Sequence, residues 1–97
     1  MTVDVFRFCF SPEVPLGEAE MTLDLATYAV EGLFGSARVR LETNYHLDPP
    51  RNVILLDATN EVGATVARVF TALLLREFGE EGFRVERIEA QEVSLAA

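Results

Sequence analysis

The stretch of residues 52–58, NVILLDA, decides the fold that this sequence predicts. It is apolar on both faces as far as Asp57, and it is bounded by turn-forming residues on the N-terminal side. A strand with two apolar faces lies in the centre of a sheet and is covered on both sides. We therefore predict a central strand here and place the rest of the chain relative to it.

A helix and a strand are predicted after this central strand. Thr59-Asn60 offers a helix cap, Glu61 suits the positive end of the helix dipole, and apolar residues then recur at helical spacing up to Phe78. Residues 83–89, FRVERIE, are typical of a last strand. Because Phe83 and Ile88 fall on opposite faces of that strand, we expect a bulge near its centre.

A strand, a helix and a second strand are predicted before it. Residues 2–10 are rich in β-branched and aromatic residues, and residues 15–34 carry apolar side chains at spacings of three and four. Residues 36–46, SARVRLETNYH, alternate between apolar and polar side chains, which indicates a strand with one wet face. The two prolines in residues 47–51 indicate a turn.

The resulting order, β-α-β-β-α-β, predicts an α+β sandwich of the ferredoxin-like type. We expect a four-stranded antiparallel sheet of order 4-1-3-2 with two helices on one face. A chain of 97 residues suits a single domain. We assign residues 1–93 to that domain and expect residues 94–97 to be a frayed tail.

Composition disfavours several classes of partner. The net charge is −8, and all eight cations are arginine, so polyanions such as nucleic acid and anionic membrane surfaces are disfavoured. No apolar run approaches the length of a membrane span, and no signal peptide opens the chain. Cys9 is the single cysteine and cannot form an internal disulfide. We expect a cytoplasmic protein.

The uncovered face of the predicted sheet indicates self-assembly. If the phenylalanines of the first strand pack under the helices, Val5, Arg7 and Cys9 face outward; the opposite register would expose the phenylalanines instead. Either register leaves an apolar centre, which would be stabilised in a homodimer. Arginines of strands 1 and 2 would surround this centre. The residues predicted for this dimer or partner surface are Val5, Arg7, Arg38, Arg40, Ile54 and Leu56. The third strand could contribute Val53 and Leu55 in place of Ile54 and Leu56.

The first helix offers a second candidate surface. Met21, Leu25 and Tyr28 follow one another at i, i+4 and i+7, about half a turn away from the residues predicted to face the core. They are either surface apolar residues without a role or a ridge that binds a partner.

A possible ligand site lies where the third strand meets the second helix. Asp57, Thr59, Asn60 and Thr65 cluster there, and Gly63 would let a ligand approach closely. Backbone N–H groups at a helix N-terminus can bind an anion, although the same residues also suit ordinary capping. No glycine-rich phosphate loop is present.

No catalytic or metal-binding motif emerges from the sequence. His46 has no second histidine or cysteine near it, so we predict neither a metal site nor a cofactor. The first expectation is therefore a non-catalytic homodimeric interaction module. The alternative is a regulatory domain that binds a small molecule or anion at the strand–helix junction or at a dimer seam. An enzyme ranks last, because only Tyr28, Tyr45 and Thr71 offer inward-facing polar groups.

Overall fold

One four-stranded antiparallel sheet and three helices make up the computed structural model, which describes residues 4–88. The strands are β1 (Val5–Phe10), β2 (Tyr45–Asp48), β3 (Val53–Asp57) and β4 (Phe83–Ile88). The helices are α1 (Leu16–Phe34), α2 (Ser36–Glu42) and α3 (Glu61–Phe78), and a short 3-10 turn spans Pro49–Arg51. The predicted tail, 94–97, lies outside the described residues. The predicted α+β class is confirmed, with three helices where two were expected.

The strands lie in the order β2-β3-β1-β4, which is the expected 4-1-3-2 when it is counted from the β4 edge. Every neighbouring pair is antiparallel. The central positions belong to β1 and β3, the two strands with the most apolar sequences. Burial on both sides therefore selects the apolar strands for the centre of the sheet.

The register decides which residues face the helices. Phe8 lies opposite Ile54 on β3 and Val85 on β4, and these side chains share the helix-covered face. The pairing of β1 with β4 runs without interruption from Phe10–Phe83 to Val5–Ile88, so the bulge predicted in β4 is wrong. With regular alternation, Ile88 simply joins Val5 on the opposite face.

The prediction of a strand over residues 36–46 is wrong for its first seven residues. Ser36–Glu42 form α2, and only the end of the predicted segment, from Tyr45, is a strand. The alternation over this stretch misled the prediction because alanine, arginine, leucine and glutamate all favour helix. Val39 alone supplies the buried contact of α2, and Arg38 and Glu42 form an i,i+4 ion pair of 3.1 Å.

The core lies between the sheet and the helices. Phe8 of β1 and Phe70 of α3 are fully buried, with ring centroids 4.7 Å apart. Thr22 of α1 is buried against α3 and donates a hydrogen bond of 2.8 Å to the Glu77 carboxylate. These contacts make α1 and α3 one antiparallel pair above the sheet. The other fully buried large side chains are Leu23, Val30, Val39, Ile54, Leu56, Val62, Val66 and Leu74.

Candidate functional site

At the junction of β3 and α3, the side chains of the predicted ligand site form hydrogen bonds with nearby backbone groups. The Asp57 carboxylate accepts a hydrogen bond from the Thr59 amide at 2.9 Å. The Asn60 side chain accepts from the Gly63 amide at 2.7 Å and donates to the Glu42 carbonyl at 2.9 Å. Asn60 therefore caps α3 and the C-terminal end of α2 together.

The remaining groups of this junction are also engaged. The Thr65 hydroxyl donates to the Glu61 carbonyl at 2.8 Å, and the Thr59 hydroxyl accepts from the Asp4 amide at 3.0 Å. Gly63 packs so tightly against the Asp57 carbonyl that even a Cβ atom would collide with it. The glycine therefore serves close packing of helix on backbone rather than access of a ligand.

The residues predicted for a sheet-face interface are not brought together. Val5 and Arg7 do lie on the face away from the helices, but Ile54 and Leu56 face the core and are fully buried. Arg38 and Arg40 belong to α2 and not to a strand. The sequence could not distinguish Ile54 and Leu56 from Val53 and Leu55, because β3 is apolar on both faces.

The face of the sheet opposite the helices exposes little apolar surface. Val5, Val53 and Ile88 are only 8%, 6% and 6% exposed. Arg7 forms an ion pair of 3.3 Å with Glu86 across this face. Among the described residues, none of the exposed large hydrophobic side chains lies here.

Exposed apolar side chains gather instead on the outer face of α1. Met21, Leu25 and Tyr28 are 70%, 55% and 72% exposed, and they point away from the buried residues of the same helix. Gly17 and Gly32 continue the same line at its two ends, with open space around each. We call these five residues the α1 stripe.

Acidic residues flank the α1 stripe on one side. Glu20, Asp24 and Glu31 lie along that flank, where Glu20 accepts a hydrogen bond of 3.2 Å from the hydroxyl of Tyr45. Partial burial, followed by the hydrogen bond and negative charge of Glu20 and the charge of Asp24, raises the pKa of Tyr45 above its ordinary value. The stripe itself contains no charged residue.

A cavity of about 510 Å³ lies beside α3, between that helix and strands β1 and β4. We call it the α3 cavity. Its apolar wall comes from both layers of the fold, and its polar groups are Asp4, Arg68, Thr71 and Arg87. The apolar lining residues are Phe6, Phe8, Ala58, Ala64, Ala67 and Val85.

The polar groups of the α3 cavity differ in how they are engaged. Arg87 donates from Nε and Nη2 to the Asp4 carboxylate at 3.2 and 2.8 Å. The Thr71 hydroxyl donates to the Ala67 carbonyl at 2.7 Å. Arg68 is exposed and has neither an ion pair nor a side-chain hydrogen bond within residues 4–88. The cavity therefore combines an apolar wall with an unengaged cation.

The remaining candidates do not form a catalytic group. Tyr28 is on the outer face of α1, Thr71 lines the α3 cavity and Tyr45 contacts Glu20, so these three side chains serve separate surfaces. Across residues 4–88, no three histidine, cysteine, aspartate or glutamate side chains are grouped as metal ligands. No helix in the same range is long and apolar enough to cross a membrane.

Comparisons of this chain with protein-family models, with curated proteins and with solved structures gave no match. The candidate sites therefore rest on the geometry alone. Sequence analysis named the apolar centre of the α1 stripe but missed the α3 cavity and Arg68. One signal was present: Ala64 and Ala67 put small side chains on one side of α3. The sequence of the helix does not show whether side chains of the facing strand fill the space beside these two alanines.

Proposed function

We propose that this chain is a non-catalytic assembly module that forms a symmetric homodimer through the α1 stripe. The proposal includes a ferredoxin-like fold in which α2 is an addition between α1 and β2. Without α2, the element order is β-α-β-β-α-β, and the sheet order is that of the split βαβ arrangement.

The observation that carries this proposal is the exposed, uncharged face of α1. Met21, Leu25 and Tyr28 are each more than half exposed, although large apolar side chains contribute to stability only when they leave water. Covering such surface contributes about 25 cal/mol per Å². A contiguous apolar line with charged residues beside it is typical of an interaction surface.

The spacing of the α1 stripe favours a second copy of the chain as the partner. A two-fold dimer requires a surface that is complementary to itself. Gly17 and Gly32, and likewise Met21 and Tyr28, are equally far from the middle of the stripe, near Leu25. Two antiparallel copies of α1 would therefore place Met21 of one protomer on Tyr28 of the other. Contacts between methionine sulfur and an aromatic ring are favourable.

The two glycines support close contact between helices. Glycine inside a helix costs up to about 1 kcal/mol relative to alanine, and no atom of the described residues crowds Gly17 or Gly32. In the proposed dimer each would face the glycine at the other end of the partner's stripe. The absence of side chains there would let the two helix backbones approach.

Charge sets the expected strength of the dimer. Each copy carries a net charge of −8, and a two-fold axis brings the acidic flank of one α1 beside the same flank of the other. The five residues of the α1 stripe are also few beside the roughly 20–30 residues per partner of a standard interface. We therefore expect a weak dimer that becomes tighter as added salt screens the repulsion.

The proposal extends to partners and compartment. An acidic chain repels nucleic acid, which supports a second copy rather than a polyanion as the partner. Cys9 has no second cysteine in the sequence with which to form an internal disulfide, which supports a reducing cytoplasmic setting.

Leu25→Glu tests the interface, with Leu75→Glu as the matched control. Leu75 is 44% exposed on α3, one turn after Thr71, and it is not part of the α1 stripe. We expect Leu25→Glu to give a folded monomer in sedimentation experiments, because it places two carboxylates at the two-fold axis. Leu75→Glu should dimerise like the original chain. If Leu25→Glu still dimerises, the α1 stripe is not the interface, and the face of the sheet opposite the helices becomes the next candidate.

A further inference from the structure

The α3 cavity exists because small side chains line one side of α3. Ala64 and Ala67 face strands β1 and β4, whereas the large residues Phe70 and Leu74 fill the core. On the opposite wall, β4 contributes the short side chain of Val85. The helix therefore packs closely on α1 and leaves space above the β4 edge of the sheet. A volume of about 510 Å³ is within the range of small-molecule sites.

The wall of the α3 cavity suits an apolar group. Phe6 and Phe8 form its aromatic part, and Val85 with the alanines forms the aliphatic part. Phe6 is only partly buried in the single chain, so an apolar ligand would remove further aromatic surface from water. None of these side chains offers a hydrogen bond, so polarity comes from the rim alone.

One cation of the cavity lining has no counter-ion within the part of the chain that the structure describes. Arg87 is oriented by Asp4, which leaves one carboxylate and two guanidinium groups on the cavity lining. Most arginines of the described chain form ion pairs, as Arg7 does with Glu86. Arg68 forms none within residues 4–88, although it lines the same cavity as Asp4 and Arg87. An arginine in this state can bind a carboxylate through two parallel hydrogen bonds.

We propose that the α3 cavity binds an amphipathic monocarboxylate, with its apolar body against Phe6 and Phe8 and its carboxylate on Arg68. A single charge is favoured over a polyphosphate because Asp4 lies at the same rim and the whole chain is acidic. The site is separate from the α1 stripe, which is on another helix. Binding of a ligand in the α3 cavity therefore does not depend on the proposed dimer.

Octanoate and octan-1-ol are a suitable pair of probes, because they share an apolar chain and differ in charge. Binding to the full chain can be followed by amide chemical shifts during a titration into the millimolar range. We expect saturable shifts for octanoate centred on the residues around Ala67. Arg68→Gln should weaken octanoate binding at least tenfold and change octanol binding less than twofold, since charge-assisted hydrogen bonds are the stronger class.

Two further variants complete the test. Arg76→Gln removes another arginine of α3 that does not line the cavity, and it should leave octanoate binding unchanged. Ala64→Leu should occupy the cavity in a folded chain and abolish binding of both probes. The proposal is overturned by an absence of saturable shifts, by equal octanoate affinity in Arg68→Gln and the original chain, or by equal losses in Arg68→Gln and Arg76→Gln. Undiminished binding in folded Ala64→Leu would overturn it as well.

Discussion

Asn52 joins two segments of the chain, the connector after β1 and the start of β3, through one amide group. Its backbone is left-handed, with φ of 56°, and it ends the 3-10 turn before β3. Its Nδ2 group donates hydrogen bonds of 3.0 Å to the carbonyls of Ser11 and Val14. Asparagine is one of the few residues that accept this backbone conformation and also offer a side-chain donor. The segment after β1 is therefore held against the start of β3.

We expect Asn52→Asp to be more destabilising than Asn52→Gly. Glycine keeps the backbone conformation and loses only the donor, whereas aspartate places an anionic acceptor against carbonyl oxygens. The expected losses in the free energy of unfolding are about 1–2 kcal/mol for glycine and more for aspartate. Urea unfolding of the three proteins measures both values, and equal stability of Asn52→Asp and the original chain would refute the assignment.

Thr43 carries a buried hydroxyl without a hydrogen-bond partner among residues 4–88. Its backbone is extended, at the start of the connection from α2 to β2, and valine accepts that conformation. Thr43→Val should therefore stabilise the chain by about 1 kcal/mol in thermal or urea unfolding. Thr22→Val is the control and should lower the free energy of unfolding, because it removes the 2.8 Å hydrogen bond to Glu77. A loss of stability in Thr43→Val would contradict this account.

Tyr45 makes the stability of the fold depend on pH in the alkaline range. Its pKa is raised in the folded chain, so the unfolded chain releases the phenolic proton first as the pH rises. The stabilisation is therefore complete below about pH 10, the ordinary pKa of tyrosine, and is lost as the pH rises through the folded value. Tyr45→Phe should reduce this decline in chemical unfolding between about pH 9 and 11. An identical decline in the variant would disprove the effect.

At the scale of elements, the apolar pattern predicted every long helix and three of the four strands. The capping residue Asn60 and the apolar spacing up to Phe78 were sufficient for α3. The prediction for residues 36–42 was wrong because alternation over a few residues fits a strand and a short helix equally well. Its helical state depends on tertiary contacts: Val39 reaches the core, and Asn60 binds the Glu42 carbonyl. The sequence could not decide the role of the junction residues for a related reason, since capping and anion binding use the same residue types. The ligand site there stays a prediction.

The glycines of α1 offer a test at this scale. Gly32→Ala should raise the free energy of unfolding of the monomer by about 0.5–1 kcal/mol, because alanine favours helix and the position is open. The same change should weaken the dimer, because a methyl group would then separate the helices. Unfolding is best measured in the Leu25→Glu background, and dimerisation with Leu25 intact. A more stable monomer with an unchanged dimer would show that the helices do not meet at Gly32.

At the scale of the whole molecule, residues 4–88 place no helix on one face of the sheet, and the helical layer on the other face carries both candidate sites. Sequence pattern predicted the sheet. It also predicted a homodimer through the uncovered sheet face, and that homodimer stays a prediction. The structure buries Ile54 and Leu56 under the helices and leaves the largest apolar exposure on α1 and α2. The α3 cavity could not be predicted, because it depends on how far α3 lies from β4.

The measurement that most directly tests the central claim is sedimentation equilibrium of the full chain at several protein concentrations and two salt concentrations. The account predicts a reversible monomer–dimer equilibrium in which the dimer fraction rises with salt, because screening weakens the repulsion between two copies of charge −8. A single monomer mass at every concentration would contradict it, and so would a dimer that dissociates as salt is added.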